Sequence, residues 1–395
     1  MGEALRVVIA GGGTGGHLYP GIAVARELLA RRPDVVISFA GTARGLEARV
    51  VPREGFALDV LRSGGLKGKS AVDRLRGAAL VPVSLLDAWR IIGRRRPHLV
   101  VGVGGYSSGP VVLAAAVRGA ATMLLEQNAV PGLTNRLLAP VVGAAAVTFE
   151  STRVFFGRKA FVSGNPVRPE FLDAVLAERE WGGNDSSHAG VGILVFGGSQ
   201  GAHAINVAMV EAAARLAAYA NARSGEPGRR SGDGDERRPA AEGVRLRLTH
   251  QTGERDVEMV RAAYRQAGLR AEVEPYLYDM GPRLAVADLI VCRAGATTLA
   301  ELAAAGKPAI LVPLPTATDD HQRRNAEAVA AAGAAEVLVQ AEMTGQVLAQ
   351  RILALAADRA ARVRMAKAAR ALARPDAARV IVDHALELVS TAVPC

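Results

Sequence analysis

Short runs of consecutive apolar residues recur along the chain, separated by longer stretches in which apolar positions return every three or four residues. The runs at residues 6–10, 35–40, 98–103, 122–125 and 144–148 read as strands buried on both faces, with amphipathic helices between them, the first over 20–31. That alternation predicts a parallel, doubly wound sheet. A second series starts at 191–196 and continues at 244–250, 271–275, 287–292, 308–313 and 336–339. Between the two series lie the turn-rich Gly164-Asn165-Pro166-Val167-Arg168 and the loop Trp181-Gly182-Gly183-Asn184-Asp185, so a domain boundary is expected there. The pattern therefore predicts an N-terminal domain over 1–162, a linker over 163–190 and a C-terminal domain over 191–375. A last helix over 376–395 is expected to pack back on the N-terminal domain. Residues 221–243, rich in Arg, Gly, Ser, Asp and Glu and poor in apolar side chains, read as a disordered surface insertion with no assigned function.

Composition agrees with this plan. At 395 residues the chain is long for one core, and half of it is hydrophobic while only 4% is aromatic, a mix that suits Val- and Ala-rich parallel sheets. The net charge of +10 suits an anionic partner: nucleic acid, an anionic bilayer surface or an anionic substrate. Nucleic acid is disfavoured, because neither clustered aromatic residues nor a nucleic-acid motif accompanies the charge. The two cysteines, Cys292 and Cys395, are too far apart and too few for a disulfide framework or a cysteine metal site, and they fit a reducing cytoplasm. No secretory signal is expected at the start of the chain. The longest apolar stretch, 77–93, is broken by Pro82, Asp87 and Arg90, so any membrane contact is expected to be peripheral. Within 66–96, Lys67, Lys69, Arg74, Arg76, Arg90, Arg94, Arg95 and Arg96 bracket Leu75, Leu80, Val81, Val83, Leu85, Leu86 and Trp89. A basic helix with an apolar face can lie in the headgroup layer of an anionic bilayer, although every helix of such a domain buries an apolar stripe.

The chemistry gathers at strand ends. Gly11-Gly12-Gly13-Thr14-Gly15-Gly16-His17 joins the first strand to the first helix, where glycines let a phosphate approach and the helix presents its free N–H groups. The spacing formally satisfies the dinucleotide fingerprint. A dinucleotide site also needs an acid closing the second strand, and here that strand runs into Gly41-Thr42-Ala43, with Glu47 several residues beyond. His17 is unusual for a loop that only cradles phosphate, and at a helix N-terminus its neutral, proton-accepting form is favoured. Gly197-Gly198-Ser199-Gln200-Gly201-Ala202 repeats the strand, glycine loop and helix arrangement at the head of the second series, which puts a cleft between two glycine loops. Further polar strand ends are Gly104-Gly105-Tyr106, Glu126-Gln127-Asn128, Arg293 to Ala296 with Thr297 and Glu301, and Asp319-Asp320-His321-Gln322 with Asn325. Adjacent acids beside His321 suggest a metal, but neighbouring side chains on one loop seldom converge, so no metal site is expected.

In this order and over nearly the whole chain, these loops resemble the MurG family of peptidoglycan glycosyltransferases. The resemblance implies a GT-B glycosyltransferase of class α/β, two Rossmann-like parallel-sheet domains facing a cleft. It implies inverting transfer of N-acetylglucosamine from UDP-N-acetylglucosamine to the 4-hydroxyl of undecaprenyl-pyrophosphoryl-MurNAc-pentapeptide, lipid I to lipid II, at the cytoplasmic face of the bacterial plasma membrane and with no cofactor. By the same match Ser199 and Gln200 would hold the diphosphate, Arg168 would lie near the nucleotide and the main chain at Leu277 would meet uracil. Ala296 and Thr297 would line the donor site, Glu301 would hold the ribose and Gln322 the sugar hydroxyls. Thr14, Gly15, Gly16 and Asn128 would reach the reacting centre from the opposite wall. The attacking hydroxyl needs a base, for which His17 is the first candidate and Glu126 the second. A UDP-N-acetylglucosamine 2-epimerase, or a transferase for another glycolipid, would share the plan and the donor.

Overall fold

The computed structural model describes residues 4–64, 71–168, 171, 190–198, 202–221 and 245–392, with backbone only for 71–79, 221 and 392. The expected insertion at 221–243 and most of the linker therefore lie outside the described side chains.

The N-terminal half is one all-parallel sheet in the order β3-β2-β1-β4-β5-β6-β7, made of β1 (Arg6–Gly11), β2 (Val36–Gly41), β3 (Ala57–Val60), β4 (Leu99–Gly104), β5 (Ala121–Glu126), β6 (Ala144–Val147) and β7 (Ala160–Val162). Its helices are α1 (Gly15–Arg31), α2 (Glu47–Arg53), α3 (Ala71–Arg95), α4 (Ser108–Val117) and α5 (Leu133–Leu138). Alternate residues of each strand serve opposite faces. Val7 and Ile9 join Leu28, Phe39 and Val101 in one core, while Val8 and Ala10 join Ile92, Val100 and Ala115 in the other.

The C-terminal half repeats the plan in the order β10-β9-β8-β11-β12-β13. Its strands are β8 (Val191–Phe196), β9 (Leu246–Gln251), β10 (Ala271–Glu274), β11 (Leu289–Cys292), β12 (Ala309–Leu311) and β13 (Ala335–Val337). Its helices are α6 (His203–Asn221), α7 (Val257–Gln266), α8 (Met280–Val286), α9 (Ala296–Ala305), α10 (His321–Ala331), α11 (Gly345–Ala357) and α12 (Arg359–Leu372). In both sheets the order reverses beside the first strand, between β1 and β4 and between β8 and β11, and loops at such switch points hold ligands in doubly wound folds.

The last helix, α13 (Ala377–Ala392), returns to the N-terminal half. Ile381, Val382 and Ala385 are buried in the core that holds Leu18 and Leu28, and the His384 ring stacks on Phe161 with 3.8 Å between centroids. Two elements differ from the sequence pattern. β3 is a four-residue edge strand whose exposed Ala57 and Val60 give no apolar run, and β7 is three residues just before the turn-rich stretch that opens at Gly164. α1 also begins at Gly15 rather than near Pro20, directly on the glycine loop.

Candidate active site

The two glycine loops of the N-terminal half lie against each other. A Cβ on Gly11 would sit 2.3 Å from the Gly104 carbonyl oxygen, and one on Gly105, whose φ is +83°, would sit 2.8 Å from that of Gly12. Only glycine permits this approach. Thr14 caps α1 with no side-chain hydrogen bond, so the first amides of the helix, Gly15 and Gly16, face the cleft without a side-chain partner. A Cβ on Gly104 would come 2.8 Å from His17 Nδ1; the missing side chain is the room the imidazole occupies.

His17 is oriented by Gln127. The Gln127 amide nitrogen donates to the Val103 carbonyl at 3.1 Å, which turns its oxygen toward His17 Nδ1 at 3.3 Å. That oxygen can only accept, so Nδ1 carries the proton and Nε2 keeps its lone pair; the tautomer is assigned from this network. Burial pushes the His17 pKa below the ordinary histidine value, against the opposing pull of Glu126, so the neutral ring prevails at pH 7. His321, from the C-terminal half, is near enough to lower it further.

Glu126 is placed differently from a free base. Oε1 accepts from the Asn128 amide N–H (3.0 Å) and side chain (3.1 Å), and Oε2 accepts from Gly132 N–H (3.1 Å) and the Asn135 side chain (2.9 Å). Four donors on a buried carboxylate make it the anchor of the loop after β5. Asn128, expected at the reacting centre, is bonded across to the C-terminal half. Its Oδ1 accepts from Asn325 Nδ2 at 3.1 Å, and Asn325 Oδ1 accepts from Ala129 N–H at 2.8 Å.

The opposite wall begins at α9, capped by Gly295 with no side-chain hydrogen bond. Gly16 and Thr297 face each other, a Cβ on the glycine lying 3.9 Å from Thr297 Oγ1, a buried hydroxyl with no hydrogen-bond partner. Ala296 opens the same helix. Gln322 Oε1 accepts from Ala294 N–H (3.3 Å) and Leu314 N–H (3.0 Å), which ties two strand-end loops together and leaves its amide nitrogen as the donor. Arg168 and Glu301 form an ion pair at 2.8 Å, with the guanidinium over the Phe171 ring. Leu277 N–H donates to Gln251 Oε1 at 3.0 Å, while Gln251 Nε2 donates to Gly198 O, so one buried side chain links the loop after β10 to the loop after β8. Ser199 and Gln200 lie outside the described residues. Cys292 is buried and kept as a thiol by its burial. Among the described residues no three His, Cys, Asp or Glu side chains converge to hold a metal ion.

The described part of α3 has two faces. Ser84, Ala88, Ile91 and Ile92 are buried, whereas Leu86 (55% exposed) and Trp89 (43%) face outward with Val81 and Arg90. Leu80, Val83 and Leu85 are half-buried. Arg94 and Arg95, counted with the basic patch, are paired with Asp59. Arg118 supplies a cation in their place, 3.9 Å from the centre of the Trp89 ring. Leu75 and the basic residues 67, 69, 74 and 76 lie outside the described side chains. Among the described residues no helix is long and apolar enough to cross a membrane.

Sequence pattern left Gln127, Gln251 and Asn325 without individual roles, because their partners lie 24 to 197 residues away. Glu47, set aside as too far along the chain, is buried beneath the first glycine loop and accepts from Gly13 N–H at 2.7 Å, so it is closed to any ribose.

Two family descriptions match in tandem: the glycosyltransferase family 28 N-terminal domain over residues 7–147 and the glycosyltransferase family 28 C-terminal domain over 192–381. A curated protein of Anaeromyxobacter dehalogenans is 46% identical over 98% of this chain and 93% of its own length. It is named UDP-N-acetylglucosamine--N-acetylmuramyl-(pentapeptide) pyrophosphoryl-undecaprenol N-acetylglucosamine transferase. The crystal structure of Acinetobacter baumannii MurG aligns with a TM-score of 0.75 at 31% identity, over 97% of this chain and 99% of that one. UDP-GlcNAc 2-epimerase from Neisseria meningitidis, bound to UDP-GlcNAc, aligns at 0.62 with 14% identity over 98% of this chain and 100% of that one, a likeness of fold alone.

Proposed function

The chain belongs to glycosyltransferase family 28, in its MurG branch, and on that premise we propose how its cleft carries out the transfer. The protein is an N-acetylglucosaminyltransferase that moves N-acetylglucosamine from UDP-N-acetylglucosamine to the muramoyl group of undecaprenyl-pyrophosphoryl-MurNAc-pentapeptide, converting lipid I to lipid II. In our reading the C-terminal half holds the donor. Ser199 and Gln200 meet the diphosphate, Leu277 the uracil, Glu301 and Arg168 the ribose side, and Ala296, Thr297 and Gln322 the sugar. The acceptor hydroxyl approaches from the glycine-loop wall of Thr14, Gly15 and Gly16, passes its proton to His17 Nε2 and attacks the anomeric carbon. UDP leaves from the opposite face and the configuration inverts. The negative charge that develops on UDP is met on the donor side, by the uncapped N-terminus of α9.

The observation that carries this reading is the Val103–Gln127–His17 chain, which presents an unprotonated imidazole nitrogen beside two unspent helix ends. The epimerase reading shares the fold and also needs a base, to take the proton from C2 of the sugar, so the lipid acceptor is what separates the two readings. Incubation with labelled UDP-N-acetylglucosamine and a lipid I analogue tests it: label is expected in the lipid product, whereas epimerised sugar nucleotide without lipid product overturns it. The exposed Val81, Leu86 and Trp89 with Arg90 and Arg118 support a peripheral seat on an anionic bilayer surface, where the lipid-linked acceptor resides. Nucleic acid has no part in this reading.

A further inference from the structure

A carboxylate removed from water is costly unless its charge is met by partners of good geometry. Glu47, at the start of α2, is 1% exposed, and its charge is met by neutral donors: Gly13 N–H on Oε2 at 2.7 Å, Thr42 N–H at 2.9 Å and the Thr42 hydroxyl at 2.8 Å, both on Oε1. Thr42 is itself held in place, its oxygen accepting from Gly45 N–H at 3.2 Å. These donors outweigh the upward push of burial and keep the carboxyl below the ordinary glutamate range, so it is an anion at neutral pH.

The backbone is shaped around this side chain. A Cβ on Gly12 would lie 2.5 Å from Glu47 Oε2, one on Gly45 2.1 Å from the same oxygen, and one on Gly41 2.6 Å from Glu47 Cγ. Three glycines from three segments therefore clear one site. A glycine turn before a helix is an anion-binding concavity, and in this half Glu47 already sits in it.

We infer that Glu47 is a positioning residue for the transfer, an internal anion that fills the first glycine loop, fixes Gly13 and the start of α1, and thereby sets His17 against the attacking hydroxyl. The same occupancy closes this loop to the donor diphosphate and leaves the loop after β8 to take it. The two glycine loops, alike in sequence, then have different tasks: one is filled from within and shaped for the acceptor, the other is open to the nucleotide.

This inference rests on the reading that the His17 loop forms the acceptor wall. The test uses the full chain with Glu47→Ala and Glu47→Gln, each measured for kcat with a lipid I analogue and for equilibrium binding of UDP. In both variants kcat is expected to fall about 10- to 100-fold, the scale of a small misplacement near the reacting atoms, with UDP affinity unchanged. Added formate, a small carboxylate that fits the vacated space, is expected to restore kcat in Glu47→Ala and to do nothing for Glu47→Gln. Wild-type kcat in either variant overturns the inference, as does a defect in Glu47→Ala that formate leaves untouched. UDP affinity lost in step with kcat, or failure of both variants to fold, gives Glu47 a fold-wide role and overturns it as well. His17→Ala assayed alongside separates the two readings: full activity in that variant sinks the acceptor wall itself, whereas a defect there with active Glu47 variants sinks only the role of Glu47.

Discussion

In the proposed transfer His17 acts as a base through its neighbour. With Gln127 Oε1 on Nδ1, the only ring position able to take a proton is Nε2, and burial keeps it empty at neutral pH. The pH dependence follows from the sign of the shift. As pH falls, kcat/KM is expected to decline with unit slope about a midpoint below the ordinary histidine value of about 6.5, because the neutral ring is the active form. His17→Ala should lose about 10²- to 10⁴-fold in kcat and lose that acid limb; a limb that persists in the variant would assign the proton to another group. The same shift bears on stability: the unfolded chain takes up the proton first as pH drops through about 6.5, so His17 destabilises the fold below that pH and contributes nothing above it. Glu126 carries four donors on its carboxylate, and Glu126→Gln is expected to disturb the loop after β5 that those donors hold.

α3 is an element whose two faces answer to different solvents. Its inner face, Ser84, Ala88, Ile91 and Ile92, packs on the domain and is fixed by Asp87, which the Arg62 guanidinium holds at about 2, and by Asp59 pairing with Arg94 and Arg95. The outward-facing Leu86 and Trp89 support the proposed seat on an anionic bilayer surface. Replacing Leu75, Leu80 and Trp89 with polar residues is expected to weaken sedimentation with anionic vesicles while UDP binding is spared, and unchanged sedimentation of the folded variant would remove the bilayer from the account. The strands show how far sequence reaches at this scale. β1, β4, β5 and β8 were legible because burial on both faces writes an unbroken apolar run. β3 and β7 were not, since an edge strand of three or four residues carries no such run. The glycine loops and the histidine were legible as local motifs. The Gln127 orientation, the Gly13 contact of Glu47 and the Asn325 contacts were not, because each joins residues brought together only by the folded sheets.

At the scale of the molecule, three of the contacts between the halves among the described residues join them in different ways. Asn325 spans the front, bonded to Asn128 and Ala129. At the back the two chain crossings touch: Gly164, whose φ is +78°, lies where a Cβ would come 2.4 Å from Arg374 Cβ. The third link is α13, which belongs to the N-terminal half by its packing although the chain reaches it from the C-terminal half. Ile381 is fully buried beside Leu18 and Leu28, and Asp383 pairs with Arg31 on α1. A cavity at Ile381 therefore weakens the acceptor half, while the donor half keeps its own core around Ile193, Ile205 and Leu348. Ile381→Ala is expected to cost about 2 to 5 kcal/mol, the range for a buried isoleucine cut to alanine. If the halves unfold in separate calorimetric transitions, UDP raises the one belonging to the donor half by mass action, and the cost of Ile381→Ala should fall on the other, with UDP affinity unchanged by titration calorimetry. A loss confined to the UDP-sensitive transition would place α13 energetically with the donor half, against its packing. A single merged transition lowered by the same amount would instead mean that α13 welds the halves into one cooperative unit.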